Sequence, residues 1–296
     1  QCSWKVRGNT GSRQETARIS VGLDEPLQKV VFQKEGNLNS LGEALDFPLK
    51  PYTRYWYTVA VRTEHGEEAV SQPCFFETGK LDDPWKGQWL GVEGSDTHPE
   101  FQRSFFLPDK PCSARLYICG LGLFEAYLNG EKAGNDLLAP FLNDYTEHFQ
   151  YCTYDVTSLL AQDNTLSVLL GDGWYRGHFG LGEPTHYDRP LALIAELRME
   201  FADGHTETLC SDSGWQYRSS FTTLSDIYNG ETQDYTKTPG DWKQPVLIPA
   251  PGGLCDRYSS PLHYMESIPV KEVIHTPAGE TVLDFGQNFA GHVVCT

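Results

Sequence analysis

Apolar and polar residues alternate through much of this chain. Arg18-Ile19-Ser20-Val21 does so briefly, and Tyr55-Trp56-Tyr57-Thr58-Val59-Ala60-Val61-Arg62 does so over a longer run. A period of two puts successive side chains on opposite faces of a strand, so both runs predict half-buried β-structure. A turn at His65-Gly66 and a return through Cys74-Phe75-Phe76-Glu77 predict an antiparallel sandwich over residues 1–79. The polar, turn-rich Gly79-Lys80-Leu81-Asp82-Asp83-Pro84 marks a domain boundary. Beyond it, strands are predicted at Phe101–Phe106, Ala114–Cys119, Leu123–Leu128, Thr165–Leu170, Leu191–Phe201 and His205–Cys210. Asn129-Gly130 suits a two-residue hairpin turn whose backbone needs positive φ twice, and Asp203-Gly204 joins the last two strands. The spacing fits a jelly-roll sandwich over 80–253. The short helical signal is Asp155–Leu160, with Asp155 placed to cap its first turn. Residues 254–296 read as a linker and the first strands of a third β domain, ending inside the apolar Val293-Val294-Cys295. That ending is expected of a piece of a longer protein.

Composition supports an all-β reading. Aromatic residues make up 12% of the chain, and 28 Gly with 18 Pro supply the turns that many short strands require. The 40 acidic against 23 basic residues give a formal charge of −17. Such a surface repels phosphate backbones, and no Lys/Arg cluster makes a local exception, so nucleic acid is excluded as a partner. No segment has the apolar length of a membrane-spanning helix, and no membrane partner is expected. The eight cysteines are scattered without a C-x-x-C pair, which argues against a zinc site and points to a reducing, cytoplasmic setting. Asp284-Phe285-Gly286 spells a kinase magnesium motif without the glycine loop, strand lysine and catalytic loop a kinase needs. It reads as strand and turn. The glycine spacing of residues 177–182 lacks the helix a nucleotide loop requires and reads as an ordinary loop.

Several longer motifs carry a resemblance. Leu49–Tyr57 is similar to the F-strand region of fibronectin type III domains. Phe76-Glu77-Thr78-Gly79 before Trp85-Lys86-Gly87-Gln88-Trp89, then Tyr127-Leu128-Asn129-Gly130, Leu138-Ala139-Pro140 and Asp144-Tyr145 follow in an order that resembles bacterial α-L-rhamnosidases. Tyr151–Thr157, Gly171-Asp172-Gly173-Trp174-Tyr175-Arg176-Gly177, Tyr228-Asn229-Gly230-Glu231 and Asp284-Phe285-Gly286-Gln287-Asn288 continue it. The resemblance implies a fibronectin III-like sandwich, a jelly roll and the start of a third β domain, placed ahead of a helical catalytic barrel. It also implies hydrolysis of terminal α-L-rhamnosides with inversion, by a carboxylic acid and a carboxylate on opposite sides of the scissile bond. Those carboxylates belong to the barrel, so this chain is expected to contribute no catalytic residue. Its expected partners are rhamnose-containing carbohydrate and its own downstream catalytic domain. A stand-alone adhesion or interaction module is the alternative.

Two constellations are candidate sites. In the Gly171–Gly177 motif, Trp174 and Tyr175 offer aromatic faces to the C–H face of a sugar, and Asp172 and Arg176 offer hydrogen bonds to its hydroxyls. Packing into a neighbouring domain explains the same residues. The resemblance also implies that some jelly-roll modules of this kind hold L-rhamnose through calcium, which takes oxygen ligands from carboxylates, amides and carbonyls. Asn135, Asp136 and Asp188 are the candidate ligands here, although no D-x-D-x-D-G loop is present. Asp226, Asn229 and Glu231 form a further polar cluster around Tyr228, suited either to contact the barrel or to solvate a loop.

Overall fold

The computed structural model describes residues 1–8, 13–94, 98–178 and 190–294. The first alternating runs become β1 (Gln14–Gly22), β2 (Val30–Gly36), β3 (Arg54–Thr63), β4 (Glu68–Val70) and β5 (Cys74–Glu77). They form one five-stranded antiparallel sheet in the order β2-β1-β3-β4, with β5 also on β3. In-register pairs Ala17↔Val61 and Ile19↔Val59 place small and branched residues on one buried face. The second layer is built from Cys2–Val6 and Leu38–Phe47, joined by the Cys2↔Glu43 bridge. Phe47, Tyr55 and Phe76 close this core through edge and stacked ring contacts at 5.6 and 5.3 Å.

The second unit runs through β6 (Trp89–Gly91), β7 (Pro99–Phe106), β8 (Ser113–Leu121), β9 (Leu123–Leu128), β10 (Glu131–Lys132), β11 (His148–Asp155) and β12 (Asp163–Gly171). It continues through β13 (Ala192–Glu200), β14 (Thr206–Cys210), β15 (Gln216–Ser219), β16 (Thr222–Asp226), β17 (Gly230–Gln233), β18 (Val246–Ile248) and β19 (Gly253–Asp256). One sheet has the order β10-β9-β12-β7-β15 and the other β18-β6-β13-β8-β11-β19, with β14 also on β13. Leu116, Ile118, Phe101, Leu166, Val168, Leu193 and Trp215 fill the space between them, each at most 2% exposed. Burying such a side chain contributes about 1.5–3 kcal/mol, and this shared core holds the two sheets face to face.

Asn129 and Gly130 take φ of 56° and 83°, and Glu131 pairs with Leu128, so the two-residue hairpin forms as its sequence requires. Asp155 accepts from the backbone N–H of Thr157 at 3.0 Å, but the segment makes only a 3-10 turn, Thr157–Leu159. The α-helix lies elsewhere, at Gly173–Arg176 (α1), inside a motif with no apolar periodicity. The β19 strand pairs in parallel with β11, so the larger sheet runs on through residue 256. After it, β20 (Glu272–His275) and β21 (Thr281–Asp284) pair with each other. Gly286 turns back at φ 76° with its N–H on Asp284 Oδ1, the strand-and-turn role read for that motif.

Strands β8 and β13 are buried on both faces because the first unit covers the outer one. There Tyr117 opposes Glu196 and Arg115 opposes Arg198. Tyr52 of the first unit sets its ring 5.5 Å from Tyr117, with the Arg198 guanidinium 4.6 Å over it. Glu77 receives Arg115 at 2.8 and 2.9 Å. At the centre, Lys80 is 1% exposed and its Nζ donates to Glu196 Oε2 at 2.5 Å and to the Tyr52 hydroxyl at 3.1 Å. The Trp85 ring lies 4.8 Å from the same ammonium. The other Glu196 oxygen accepts the backbone N–H of Lys86 and of Gly87. Removing one charge of a buried pair strands the other without solvent. Glu196→Gln is therefore expected to lower unfolding stability by about 3–5 kcal/mol in a urea titration. A loss below about 1 kcal/mol, the range of exposed pairs, would show the seam to be solvated.

Candidate functional site

The loops at one end of the second sandwich gather most of the residues singled out from sequence. Strand β12 ends at Gly171, and the N–H of Asp172 donates to the carbonyl of Ser225 at 3.1 Å. Gly173 sits at φ 52°, where a Cβ would fall 2.4 Å from Leu123, so both backbone and space demand glycine. The single turn of α1 then brings Arg176 back onto Asp172, with Nε and Nη2 each 2.8 Å from Oδ1. His98 Nε2 lies 3.2 Å from the other oxygen. Burial alone would raise the Asp172 pKa, but His98 and Arg176 outweigh it and hold the carboxyl below its ordinary range.

The aromatic pair divides. Tyr175 is 1% exposed, its ring against Tyr145 at 5.2 Å. It has no face open to a sugar, which corrects that use of the residue. Trp174 is half-buried and meets the edge of Phe141 at 5.7 Å. Phe141 and Leu138 flank Ala139-Pro140 with φ of 80° and 54°, a region bulky residues rarely enter. Asp172 and Arg176 answer each other, so ring contacts and an ion pair engage all four motif side chains.

Asp226 anchors the adjoining β16–β17 hairpin. Its Oδ1 accepts the N–H of Tyr228 at 2.8 Å and of Asn229 at 2.9 Å. Its Oδ2 accepts the His178 N–H at 2.7 Å and lies 2.9 Å from His178 Nδ1. Burial raises this carboxyl, yet the bonds from His178, Asn229 and Tyr228 more than offset it, and the pKa falls to about 2.

Of the proposed calcium ligands, Asn135 and Asp136 are among the described residues. Asp136 is 9% exposed and its Oδ2 accepts from the Tyr154 hydroxyl at 3.2 Å and from Arg257 Nη1. A carboxylate already balanced by a guanidinium offers a divalent cation no net charge. Asn135 is exposed beside it. Asp188 lies outside the described residues, as do residues 179–182 of the glycine-rich loop. No group of three His, Cys, Asp or Glu suited to a metal occurs among the described residues. Asn135 and Asp136 by themselves, the latter already paired with Arg257, therefore do not fit calcium. His98, His178 and Arg257 escaped the sequence reading, because their carboxylate partners lie 74, 48 and 121 positions away. A cleft of about 570 Å³ between the two units is lined by Arg54, Glu77, Arg115, Arg198 and Glu200. Arg54 and Arg115 pair with Glu77, and Arg198 lies 3.6 Å from Glu200.

Two measurements check this geometry. Calorimetric titration with calcium, alone and with L-rhamnose, is expected to show no saturable heat, and heat abolished by Asp136→Ala would contradict it. The lowered pKa of Asp226 gives its bonds full effect above the unfolded value of 3.8, with loss as pH falls through about 2. The amide resonance of Tyr228 should thus titrate with a midpoint near pH 2, and Asp226→Asn should abolish the transition. A midpoint near the ordinary carboxylate value would mean the hairpin is not held this way.

Comparison with known proteins sets this geometry in a lineage. Residues 109–250 match the α-L-rhamnosidase N-terminal domain, and residues 1–82 match the Rha78A-like N-terminal immunoglobulin domain. An α-L-rhamnosidase of Streptomyces avermitilis is 36% identical over 208 residues, covering 66% of this chain and 20% of that protein. One from Formosa agariphila is 28% identical, covering 83% of this chain and 30% of its own length. The chain thus spans a fifth to a third of these relatives. Among solved structures, native α-L-rhamnosidase from Aspergillus terreus superposes with a TM-score of 0.81 at 28% identity, covering 97% of this chain and 36% of that one. The Dictyoglumus thermophilum enzyme gives 0.77 at 27% identity, with the same two coverages of 97% and 36%. By both domain matches, by sequence and by fold, the chain belongs to the N-terminal region of the α-L-rhamnosidase family.

Proposed function

We propose that this chain is the accessory front region of an enzyme that hydrolyses terminal α-L-rhamnosides, and that it serves as the scaffold on which the catalytic domain rests. The observation that carries the reading is the match of both domains, in order, to the N-terminal parts of α-L-rhamnosidases. The chemistry of the loop end agrees with a non-catalytic role. A glycosidase general acid needs a carboxyl whose pKa is raised toward neutrality, with a second carboxylate facing it across the bond. Asp172 and Asp226 are both shifted the other way, by cations and N–H groups that hold them ionised. Asp136 is spent on Arg257. Rhamnose-containing glycosides are then the substrate of the parent protein, and its catalytic domain is the partner of this chain.

The test is turnover of p-nitrophenyl α-L-rhamnoside. The parent protein is expected to release nitrophenol, and residues 1–296 alone are expected to release none. Turnover by the isolated chain, or none by the parent, would overturn the proposal. The second result would leave an adhesion or interaction module as the better description.

A further inference from the structure

Strands β16 and β17 form a two-stranded sheet of their own. A lone hairpin is marginal in water, so something must hold this one in place. The Gly171–His178 motif does so at several points. Ser225 packs over Gly171 so closely that a Cβ there would come 2.3 Å from its hydroxyl, and Asp226 would lie 2.6 Å from a Cβ on Gly177. The His178 N–H and the Asp172 N–H both bond to the hairpin, at 2.7 and 3.1 Å. At its base, Ser220 donates twice to the His98 carbonyl, at 2.7 and 3.0 Å, and the Asp234 N–H donates to Phe221 at 2.9 Å.

What this anchoring displays is apolar and aromatic. Tyr228 is 58% exposed at the turn that Asp226 fixes, Tyr235 is 73% exposed beyond β17, and Leu224 is 37% exposed. A loop meant only for water does not need a buried carboxylate with several bonded donors, nor does it present two exposed tyrosines. Tyrosine is among the residue types enriched at protein interfaces, because it contributes area at low entropic cost. Strand β17 is exposed along its whole length, an open ribbon rather than the concavity a sugar site requires. Glu231 is exposed on it, in a chain whose net charge is −17. Charge complementarity therefore asks for a basic rim opposite.

We propose that the β16–β17 hairpin is the tongue that docks the catalytic domain of the parent protein, received by an apolar patch edged with lysine and arginine. This rests on the accessory-region reading and names the surface that reading requires. In the Aspergillus terreus and Dictyoglumus thermophilum structures the matched region covers 36% of the chain, so a large remainder is there to be docked.

Hydrogen exchange over residues 222–236, compared between this chain alone and the intact parent, tests the proposal without reference to activity. Exchange in the parent is expected to slow by at least about tenfold, since docking removes the local opening available to a free hairpin. The double variant Tyr228→Ser, Tyr235→Ser is expected to erase that slowing and lower the parent's melting midpoint. The same changes in the isolated chain should leave its midpoint nearly unshifted, as expected of exposed side chains. Equal exchange in chain and parent would overturn the docking role. So would protection that appears only on adding a rhamnoside, which would make the hairpin a sugar contact. Failure of the parent to hydrolyse rhamnosides is a separate reading, and leaves this exchange comparison unaffected.

Discussion

An ammonium group buried among three aromatic rings governs how the two β units of this protein meet. Lys80 reaches Glu196 at 2.5 Å with both side chains almost wholly removed from water, and the Tyr52, Trp85 and Tyr117 rings lie within 6 Å of its nitrogen. A charge in such a place costs several kcal/mol to desolvate unless every donor and acceptor is met. Here Tyr52 and Glu196 answer the ammonium, and Lys86 and Gly87 answer the second oxygen of Glu196. The backbone on either side is strained, with Tyr52 at φ 54° and Leu81 at φ 49°. Strain of this kind persists only where surrounding contacts over-determine it. The network therefore fixes a direction for the first unit relative to the second, which burial of apolar area alone would not specify.

The same economy recurs at the loop end. Three carboxylates, those of Asp136, Asp172 and Asp226, are each bonded to a partner from a distant segment, Arg257, His98 and His178 in turn, and each ties a loop to the sandwich. Glycines at 171, 173 and 177 let those segments approach to distances no Cβ would permit. Residues that suggest sugar chemistry in the sequence therefore also fasten loops to the sandwich. The aromatic side chains follow suit, with Tyr175 inside the core and Trp174 against Phe141. What reaches solvent is the hairpin that those fasteners hold.

Alternation made the strands legible wherever one face is buried and the other wet, as in β1, β3, β9 and β12. It failed in β11, where both faces are covered and buried Gln150 stands in the run, bonded to Asn143. It failed also in short strands such as β6 and β18, three residues each, too brief to show a period. The turns at Asn129-Gly130 and Asp203-Gly204 were readable because their backbone angles leave few residue choices. The seam was half legible. Glu196 interrupts the apolar run Ala192–Leu197, and an acid at such a position demands a partner. Nothing local says that the partner is Lys80, which sits 116 positions earlier in a segment that reads as a polar linker. The motif residues stand together in the sequence, but the contacts they make depend on His98, Arg257 and Tyr145, which only the tertiary structure brings near. The helix α1 lay beyond sequence reasoning because one turn has no periodicity to detect.

The Lys80–Glu196 seam joins the two units so that they behave as one body. Differential scanning calorimetry of the chain tests this most directly. One transition spanning both units is expected, with calorimetric and van't Hoff enthalpies equal, as cooperative unfolding requires. Two separable transitions, the first reproduced by residues 1–82 expressed alone, would show that the units melt independently and that the seam does not couple them.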